Sequence, residues 1–225
     1  MASPEAEFIK RVFKRERIAR AVVAVSGGID SSVALVLTVK ALGAKNVFSL
    51  QLPYGNQSTK LSDQILDFVR LPRQNRQKIN IKPAVDAFNV KDKLRLGNVM
   101  VRVRMIYVYD LAKKLNALVV GTENKSEKLL GYYTRFGDEA SDIEPIVHLY
   151  KTEVIKLAKE LGLPKEIINQ KPTAGLWPGQ TDEQELGFSY ATADLVLQGK
   201  KQNARVLKRL KQVEFKKQVP YFLEK

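Results

Sequence analysis

The stretch SGGIDSS, residues 26–32, combines residue types that could bind phosphate. It follows the run RAVVAV, whose apolar and β-branched residues show no polar alternation and predict a strand that is buried on both faces. Two glycines let backbone N–H groups approach a phosphate closely, and a helix beginning near Ser31 would add the positive end of its dipole. The stretch matches neither the Walker A loop nor the G-x-G-x-x-G turn. It predicts a phosphate-binding turn, and an ordinary strand-to-helix turn is the alternative.

Asp30 is the only acidic residue in this turn. Its carboxylate would repel a phosphate unless a cation lay between them, and Mg²⁺ commonly binds one or two carboxylates together with phosphate oxygens. Asp30 therefore predicts a magnesium-dependent phosphate site. The alternative is that Asp30 is a helix N-cap, a position that aspartate often occupies.

The composition limits the chemistry that is available. The chain has 225 residues, no cysteine and a single histidine, His148. Thiolate metal sites and cysteine nucleophiles are therefore excluded, and a Ser-His-Asp triad has little material. Catalysis must depend on carboxylates, lysines, arginines, hydroxyls and backbone amides. The net charge of +14 indicates an anionic partner, either nucleic acid or a phosphorylated small molecule.

The sequence gives no sign of a membrane segment. No window approaches the roughly 18 consecutive apolar residues of a membrane span, and the N-terminal stretch lacks the apolar core of a signal peptide. We therefore expect a cytoplasmic protein without a membrane partner.

Strand-like and helix-like segments alternate along the chain, which predicts βαβ units and an α/β fold. We expect a Rossmann-like parallel sheet of about five strands with helices on both faces. Four strand segments can be placed directly, at residues 20–26, 46–53, 77–83 and 116–122. A Gly- and Pro-rich segment begins at residue 171 and leads into a basic helical tail. We expect a single domain over residues 1–225, with an α/β core over 1–170 and a lid loop and C-terminal helices over 171–225.

The motif SGGIDSS resembles the S-G-G-x-D-S loop of the N-type ATP pyrophosphatases. In that superfamily the loop holds the β,γ-pyrophosphate of ATP while a substrate oxygen attacks the α-phosphorus. The resemblance implies that ATP contacts Ala24, Val25, Ser26, Gly27, Gly28, Ile29, Asp30 and Ser31.

Four further segments resemble, in family order, the motifs of NAD synthetases. They are GNVMVRVRM, GTENKSEKLLGYYTRFGDEASDIEPI, LYKTEVIKLAKELGLP and KPTAGLWPGQTDEQELG. The resemblance extends from about residue 21 to residue 190. It implies an ammonia-dependent enzyme that adenylates the nicotinate carboxylate of deamido-NAD with ATP and then amidates it with ammonia.

The resemblance implies a catalytic set and a metal site. Asp30, Lys151 and Asp142 are the implied catalytic residues, and Asp30 and Glu127 would hold Mg²⁺. Thr122, Lys151 and Thr173 are implied ATP contacts. The alternative for Glu127 is an acidic residue placed in the first turn of a helix by its dipole.

For deamido-NAD, the resemblance points to Arg102, Arg135, Asp142, Phe215 and Lys216. Arg102 and a second arginine two residues later face different sides of a helix, so at most one of them lines the site, and the motif selects Arg102. Arg135 stands where the family usually has lysine, and Phe215 replaces a histidine. Because these side chains differ in shape and hydrogen bonding from the usual lysine and histidine, both departures affect the contacts expected with deamido-NAD.

The partners implied are deamido-NAD, ATP, ammonia and a second copy of the chain, with the deamido-NAD site at or near the dimer interface. Ammonia rather than glutamine is expected because the family's glutaminase depends on cysteine. Two alternatives stay open at this point. One is another N-type pyrophosphatase, such as a GMP-synthetase-like enzyme; the other is a nucleic-acid-binding protein, supported by the charge and the tail KKQNARVLKRLKQVEFKK. Because that tail has few aromatic residues for base stacking, we expect no nucleic acid partner.

Overall fold

A computed structural model of the chain describes residues 3–218. Within these residues it has a four-stranded parallel sheet, with strands β1 Arg20–Ala24, β2 Val47–Gln51, β3 Arg76–Lys78 and β4 Ala117–Val120. The strand order is β3-β2-β1-β4. β1 therefore lies between β2 and β4, and its Val22 is paired with Phe48 on one side and with Val119 on the other.

Eleven α-helices connect and follow the strands within the described residues. They are α1 Pro4–Glu16, α2 Ile29–Leu42, α3 Lys60–Phe68, α4 Lys82–Asp86, α5 Lys93–Leu115, α6 Lys125–Leu130, α7 Lys151–Glu160, α8 Lys165–Ile168, α9 Asp182–Leu186, α10 Tyr190–Leu197 and α11 Ala204–Gln212. None of these helices is long and apolar enough to cross a membrane.

The predicted α/β class, with its parallel sheet and helices on both faces, is confirmed. The strand count differs slightly, because the described residues form four strands rather than about five. Ile143 makes a single parallel bridge to Val120, next to β4, where a fifth strand would lie. Pro145 follows two residues later and has no N–H with which to extend a ladder.

The third strand is shorter than the sequence indicated. β3 ends at Lys78, although the N–H groups of Ile79 and Ile81 still donate to the carbonyls of Gln51 and Pro53. Helix α4 then begins at Lys82, with Pro83 in its first turn. Proline favours that position because its missing N–H would be unpaired there anyway.

The two faces of the sheet are covered by different helices. Side chains of β1 alternate, so Ala21 and Val23 pack against α1, α2 and α7, whereas Val22 packs against α5 on the opposite face. This two-sided burial explains why β1 is apolar from Ala21 to Ala24.

The C-terminal helices pack on the same body. Leu130 of α6, Tyr190 and Ala193 of α10 and Val206 of α11 form a third buried cluster. The division into a core over residues 1–170 and a C-terminal part over 171–225 stays a prediction, and residues 219–225 of that part lie outside the described residues.

Candidate active site

The glycine turn lies where the sheet reverses its strand order. β1 has a sequence-adjacent strand on one side and β4 on the other, and the crevice at such a point is the usual ligand site of an open α/β sheet. Gly27 has φ +88°, and a Cβ on it would lie 2.6 Å from the backbone nitrogen of Ser62. Only glycine fits there. Ser32 donates its hydroxyl to the Gly28 carbonyl at 2.8 Å and secures the first turn of α2.

The centre of the site is a buried lysine between two carboxylates. The Nζ atom of Lys151 lies 2.5 Å from Oδ2 of Asp30 and 2.9 Å from Oε1 of Glu127. Lys151 is only 2% exposed. The three residues begin three different helices: Asp30 is in the first turn of α2, Glu127 in that of α6, and Lys151 starts α7. Parallel-sheet topology brings these helix starts to one edge.

Asn124 links the Asp30 carboxylate to the start of α6. Its Nδ2 donates to Oδ1 of Asp30 at 2.9 Å, and its Oδ1 accepts from the backbone N–H of Glu127 at 3.0 Å. The second bond makes Asn124 the N-cap of α6. The same side chain therefore starts the helix that carries Glu127 and orients Asp30.

Burial and charge shift the pKa values of this centre. Burial raises the pKa of Glu127 to about 7, although Lys151 opposes the shift. Burial alone would lower the pKa of Lys151, but attraction by Asp30 and Glu127 outweighs it and raises that pKa. Lys151 therefore keeps its charge between the two acids.

The donor set fits Mg²⁺. The carboxylates of Asp30 and Glu127 converge beside the glycine turn, which matches the one or two protein carboxylates that Mg²⁺ takes with phosphate oxygens. The described residues contain no group of three or more His, Cys, Asp or Glu that could hold a metal ion. A divalent ion at Asp30 and Glu127 would therefore rely on phosphate and water for its other ligands.

A cavity of about 1200 Å³ opens beside this centre. It brings together nearly all of the residues that were predicted to contact ATP, and Gly27 lies in the same turn. The predicted residues in its wall are Ala24, Val25, Ser26, Gly28, Ile29, Asp30, Ser31, Thr122, Glu127, Lys151, Thr173 and Lys216.

The lid loop forms one wall of the cavity. Gln57 donates its side-chain amide to the Gly175 carbonyl at 2.7 Å, which ties this loop to the segment after β2. Leu176 and Trp177 pack on Gly97 of α5, where a Cβ would come within 2.9 Å of the Leu176 side chain. The Lys93 ammonium lies 4.4 Å from the centre of the Trp177 ring.

Two of the predicted deamido-NAD residues lie together outside the cavity wall. Arg102 is exposed and donates its Nε to the Arg135 carbonyl at 3.2 Å. The arginine of α5 that lines the cavity is Arg104, which donates to the Leu52 carbonyl and to Gln57. At most one arginine of the pair was expected to line the site, and Arg104 lines this cavity; the role predicted for Arg102 stays a prediction.

The remaining predicted residues are also separated. Asp142 is exposed and accepts a hydrogen bond from the Val119 backbone at 2.7 Å, so it supports the end of β4. Phe215 is 54% exposed, whereas Lys216 lines the cavity and donates to the carbonyls of Gly131 and Tyr133. Binding of deamido-NAD by these residues stays a prediction.

The chain is similar to known proteins in both sequence and structure. The family model described as NAD synthase matches residues 2–222. The chain belongs to the NAD synthase family. It is 48% identical over 182 residues to the NH(3)-dependent NAD(+) synthetase of Thermococcus kodakarensis, covering 78% of this chain and 70% of that one. It is 37% identical to the enzyme of the same name from Thermoplasma acidophilum, covering 97% and 95%. The solved structure of the NMN synthetase from Francisella tularensis matches with a TM-score of 0.89 and 33% identity, covering 97% and 95%.

Sequence reasoning missed several side chains of this NAD synthase site. Tyr190 donates to Glu127 at 3.4 Å and to Asp182 at 3.2 Å, and Asp182 accepts from the Ala174 backbone in the lid loop. Asn124 could have been found, since Asn before a helical segment is a typical N-cap. Tyr190 and Asp182 carry no local signal, because they approach Glu127 only through packing of the C-terminal helices.

Proposed function

We propose that the chain is an ammonia-dependent NAD synthetase. In the first step an oxygen of the nicotinate carboxylate of deamido-NAD attacks the α-phosphorus of ATP, and pyrophosphate leaves. In the second step ammonia attacks the activated acyl carbon, AMP leaves and a proton is lost, giving NAD. The family membership and the names of the relatives favour this function over the GMP-synthetase-like and nucleic-acid-binding alternatives.

The observation that carries the proposal is the Asp30–Lys151–Glu127 centre beside the glycine turn. In the proposed reaction, backbone N–H groups of the turn and the Lys151 ammonium would bind the pyrophosphate that departs. Such fixed donors stabilise charge that develops during the reaction without needing to reorganise. Asp30 and Glu127 would hold Mg²⁺, which when bound neutralises phosphate charge.

We also propose that the enzyme works as a homodimer and that a second copy completes the deamido-NAD site. Arg102 and Arg135 lie together beyond the cavity wall. The Nε atom of Arg135 is buried and has no partner among the described residues, which is costly unless a ligand or another chain supplies an acceptor. Ile106 and Tyr109 on the same helix as Arg102 are 66% and 37% exposed, an apolar surface that a second copy could cover.

The proposed reaction takes place in the cytoplasm. Its chemistry uses neither thiol nor imidazole, which suits a chain without cysteine and with one histidine, His148. That histidine lies outside the cavity wall, 3.4 Å from Glu5 of α1.

One assay tests the function: release of pyrophosphate and formation of NAD from ATP, Mg²⁺ and deamido-NAD. With ammonium we expect both products over many turnovers. With ammonia-free glutamine we expect no NAD, and at most one pyrophosphate per active site from the first step. Asp30→Asn and Glu127→Gln should each lower pyrophosphate release at least about 100-fold, because each removes a carboxylate that would hold the Mg²⁺ needed to neutralise the phosphate charge.

Glu160→Gln is the matched control, since it makes the same change on an exposed part of α7 and should keep full activity. Near-normal pyrophosphate release by either site variant would contradict the metal assignment. Equal rates from glutamine would contradict the choice of nitrogen donor.

A second candidate differs only in the substrate. The solved NMN synthetase matches this chain over nearly its whole length, and an enzyme that makes NMN by the same chemistry amidates the nicotinate mononucleotide. Comparing kcat/KM for deamido-NAD and nicotinate mononucleotide distinguishes the two. We expect a higher value for deamido-NAD, and a clear preference for the mononucleotide would establish the second candidate.

A further inference from the structure

Asp194 of α10 is a buried carboxylate that lies behind the site. It is 2% exposed and is absent from the cavity wall. Its Oδ1 accepts from the Ser126 hydroxyl at 2.5 Å, and its Oδ2 accepts from the backbone N–H and the hydroxyl of Thr152 at 2.9 and 2.7 Å. Three donors from two other elements thus converge on one side chain. A buried acid is stable only when its oxygens are hydrogen-bonded in this way.

The partners of Asp194 are the chain neighbours of two site residues. Ser126 precedes Glu127 in α6, and Thr152 follows Lys151 in α7. Ser126 also accepts from the backbone N–H of Lys151 at 2.9 Å, so its hydroxyl joins α6 directly to the start of α7. The negative charge of Asp194 lies at the N-terminus of α7, where the helix dipole favours it.

We infer that Asp194 is a positioning residue for the Asp30–Lys151–Glu127 centre. It acts through Ser126 and Thr152, fixing the starts of α6 and α7 relative to each other so that the Lys151 ammonium and the Glu127 carboxylate meet. It touches neither substrate nor reacting atoms. The inference rests on the proposed function for what the centre does, but not for the geometry that holds it.

A purely structural role is the competing explanation. Asp194 belongs to the helix whose Tyr190, Ala193 and Val196 pack in the C-terminal cluster, so it could simply anchor α10 to the body. In that case its loss would lower stability and leave the folded enzyme unchanged. A positioning role predicts that the surviving folded enzyme is itself altered.

Asp194→Asn is the informative variant, because it keeps the shape but turns one accepting oxygen into an N–H₂ group that faces a donor. We expect kcat to fall about 10- to 100-fold, since displacements of about 1 Å in a catalytic centre have effects of this size. The KM for deamido-NAD should change less than twofold. Binding of Mg²⁺ and ATP, measured by titration calorimetry without the second substrate, should weaken several-fold.

Ser126→Ala and Thr152→Val each remove a hydroxyl that donates to Asp194. If Asp194→Asn does not fold, these two variants replace it in the same measurements. When Ser126→Ala is combined with Asp194→Asn, kcat should fall little further, because both substitutions break the same hydrogen bond between α6 and α10.

Asn75→Ala is the matched control. Asn75 is also buried, at 5% exposure, and its amide donates to the carbonyls of Ala44, Lys45 and Val47, away from the site. It should lower the melting temperature by an amount similar to that of Asp194→Asn while leaving kcat and ATP binding unchanged.

The inference is overturned if Asp194→Asn loses stability as Asn75→Ala does but keeps kcat and ATP binding within twofold of the wild type. If the wild type fails to amidate deamido-NAD, the proposed function fails. The calorimetric comparison then still decides the role of Asp194, because it requires only Mg²⁺ and ATP.

Discussion

At the scale of single residues, the buried acids beside β4 set a pH limit on stability. Glu123 is 6% exposed, and its Oε1 has no hydrogen-bond partner among the described residues. Burial raises its pKa to about 8, and the nearby Glu144, Glu127 and Asp138 add to the shift, with Lys128 opposing it. Burial likewise raises the pKa of Glu144 to about 7.

These shifts imply that stability falls as pH rises. Glu123 has a folded-state pKa above its ordinary value of 4.5, so between these two values the folded chain keeps a proton that the unfolded chain has lost. The resulting stabilisation is complete below pH 4.5 and is lost as pH rises through about 8.

Glu123→Gln removes the contribution of Glu123 to this pH dependence, because the amide stays neutral at every pH. At pH 9 we expect the variant to be more stable than the wild type by an amount on the order of 2–4 kcal/mol, with nearly equal stability at pH 5. Urea unfolding at the two pH values measures this. Glu160→Gln, an exposed carboxylate, should leave the dependence as it is. A wild-type stability that does not fall between pH 5 and 9 would refute the burial argument.

At the scale of elements, the lid loop depends on a missing side chain in α5. Leu176 and Trp177 reach Gly97 because no Cβ stands between them and the helix. Thr173, a predicted ATP contact, lies in the same loop. We therefore expect the packing of this loop on α5 to affect the proposed contact between Thr173 and ATP.

Gly97→Val should lift this loop from α5 and raise the KM for ATP several-fold, while Gly97→Ala should do so only slightly because the Leu176 side chain can move aside. Trp177 is the only tryptophan, so its fluorescence reports seating directly. We expect a red-shifted emission for Gly97→Val that ATP partly reverses. Unchanged emission with a raised KM would mean that the loop does not act through Gly97.

The elements that could be predicted are those with local signals. The strand before Gly27 and the glycine turn after it could be predicted, because residues adjacent in the sequence determine both. The rotation of α5 about its axis has no such local signal, since placing Arg104 in the cavity wall requires knowing which face of the helix packs on the sheet. The hydrogen bonds from Tyr190 to Glu127 and from Ser126 and Thr152 to Asp194 join residues more than 40 positions apart and leave no pattern in the sequence.

At the scale of the whole molecule, a second copy is expected on the exposed face of α5. Ile106→Glu places a charge in the centre of that apolar surface and should convert the protein to monomers, as measured by light scattering. The KM for deamido-NAD should rise more than that for ATP, because Arg102 lies on this face and the ATP cavity does not.

Leu207→Glu is the control, since it puts the same charge on an exposed apolar residue of α11 and should remain dimeric. A wild type that is monomeric at concentrations where it is active would rule out a shared site.

The positions of Asp194 and Tyr190 near the end of the chain have a consequence for folding during synthesis. A ribosome releases the chain from its N-terminus, and domains begin to fold as they emerge. All four strands are present once Val120 has left the ribosome, yet the side chains behind Lys151 and Glu127 follow about 70 residues later. A nascent chain would thus hold a formed sheet and an open glycine turn before it could position its lysine. The order of synthesis would therefore prevent a partly synthesised chain from consuming ATP.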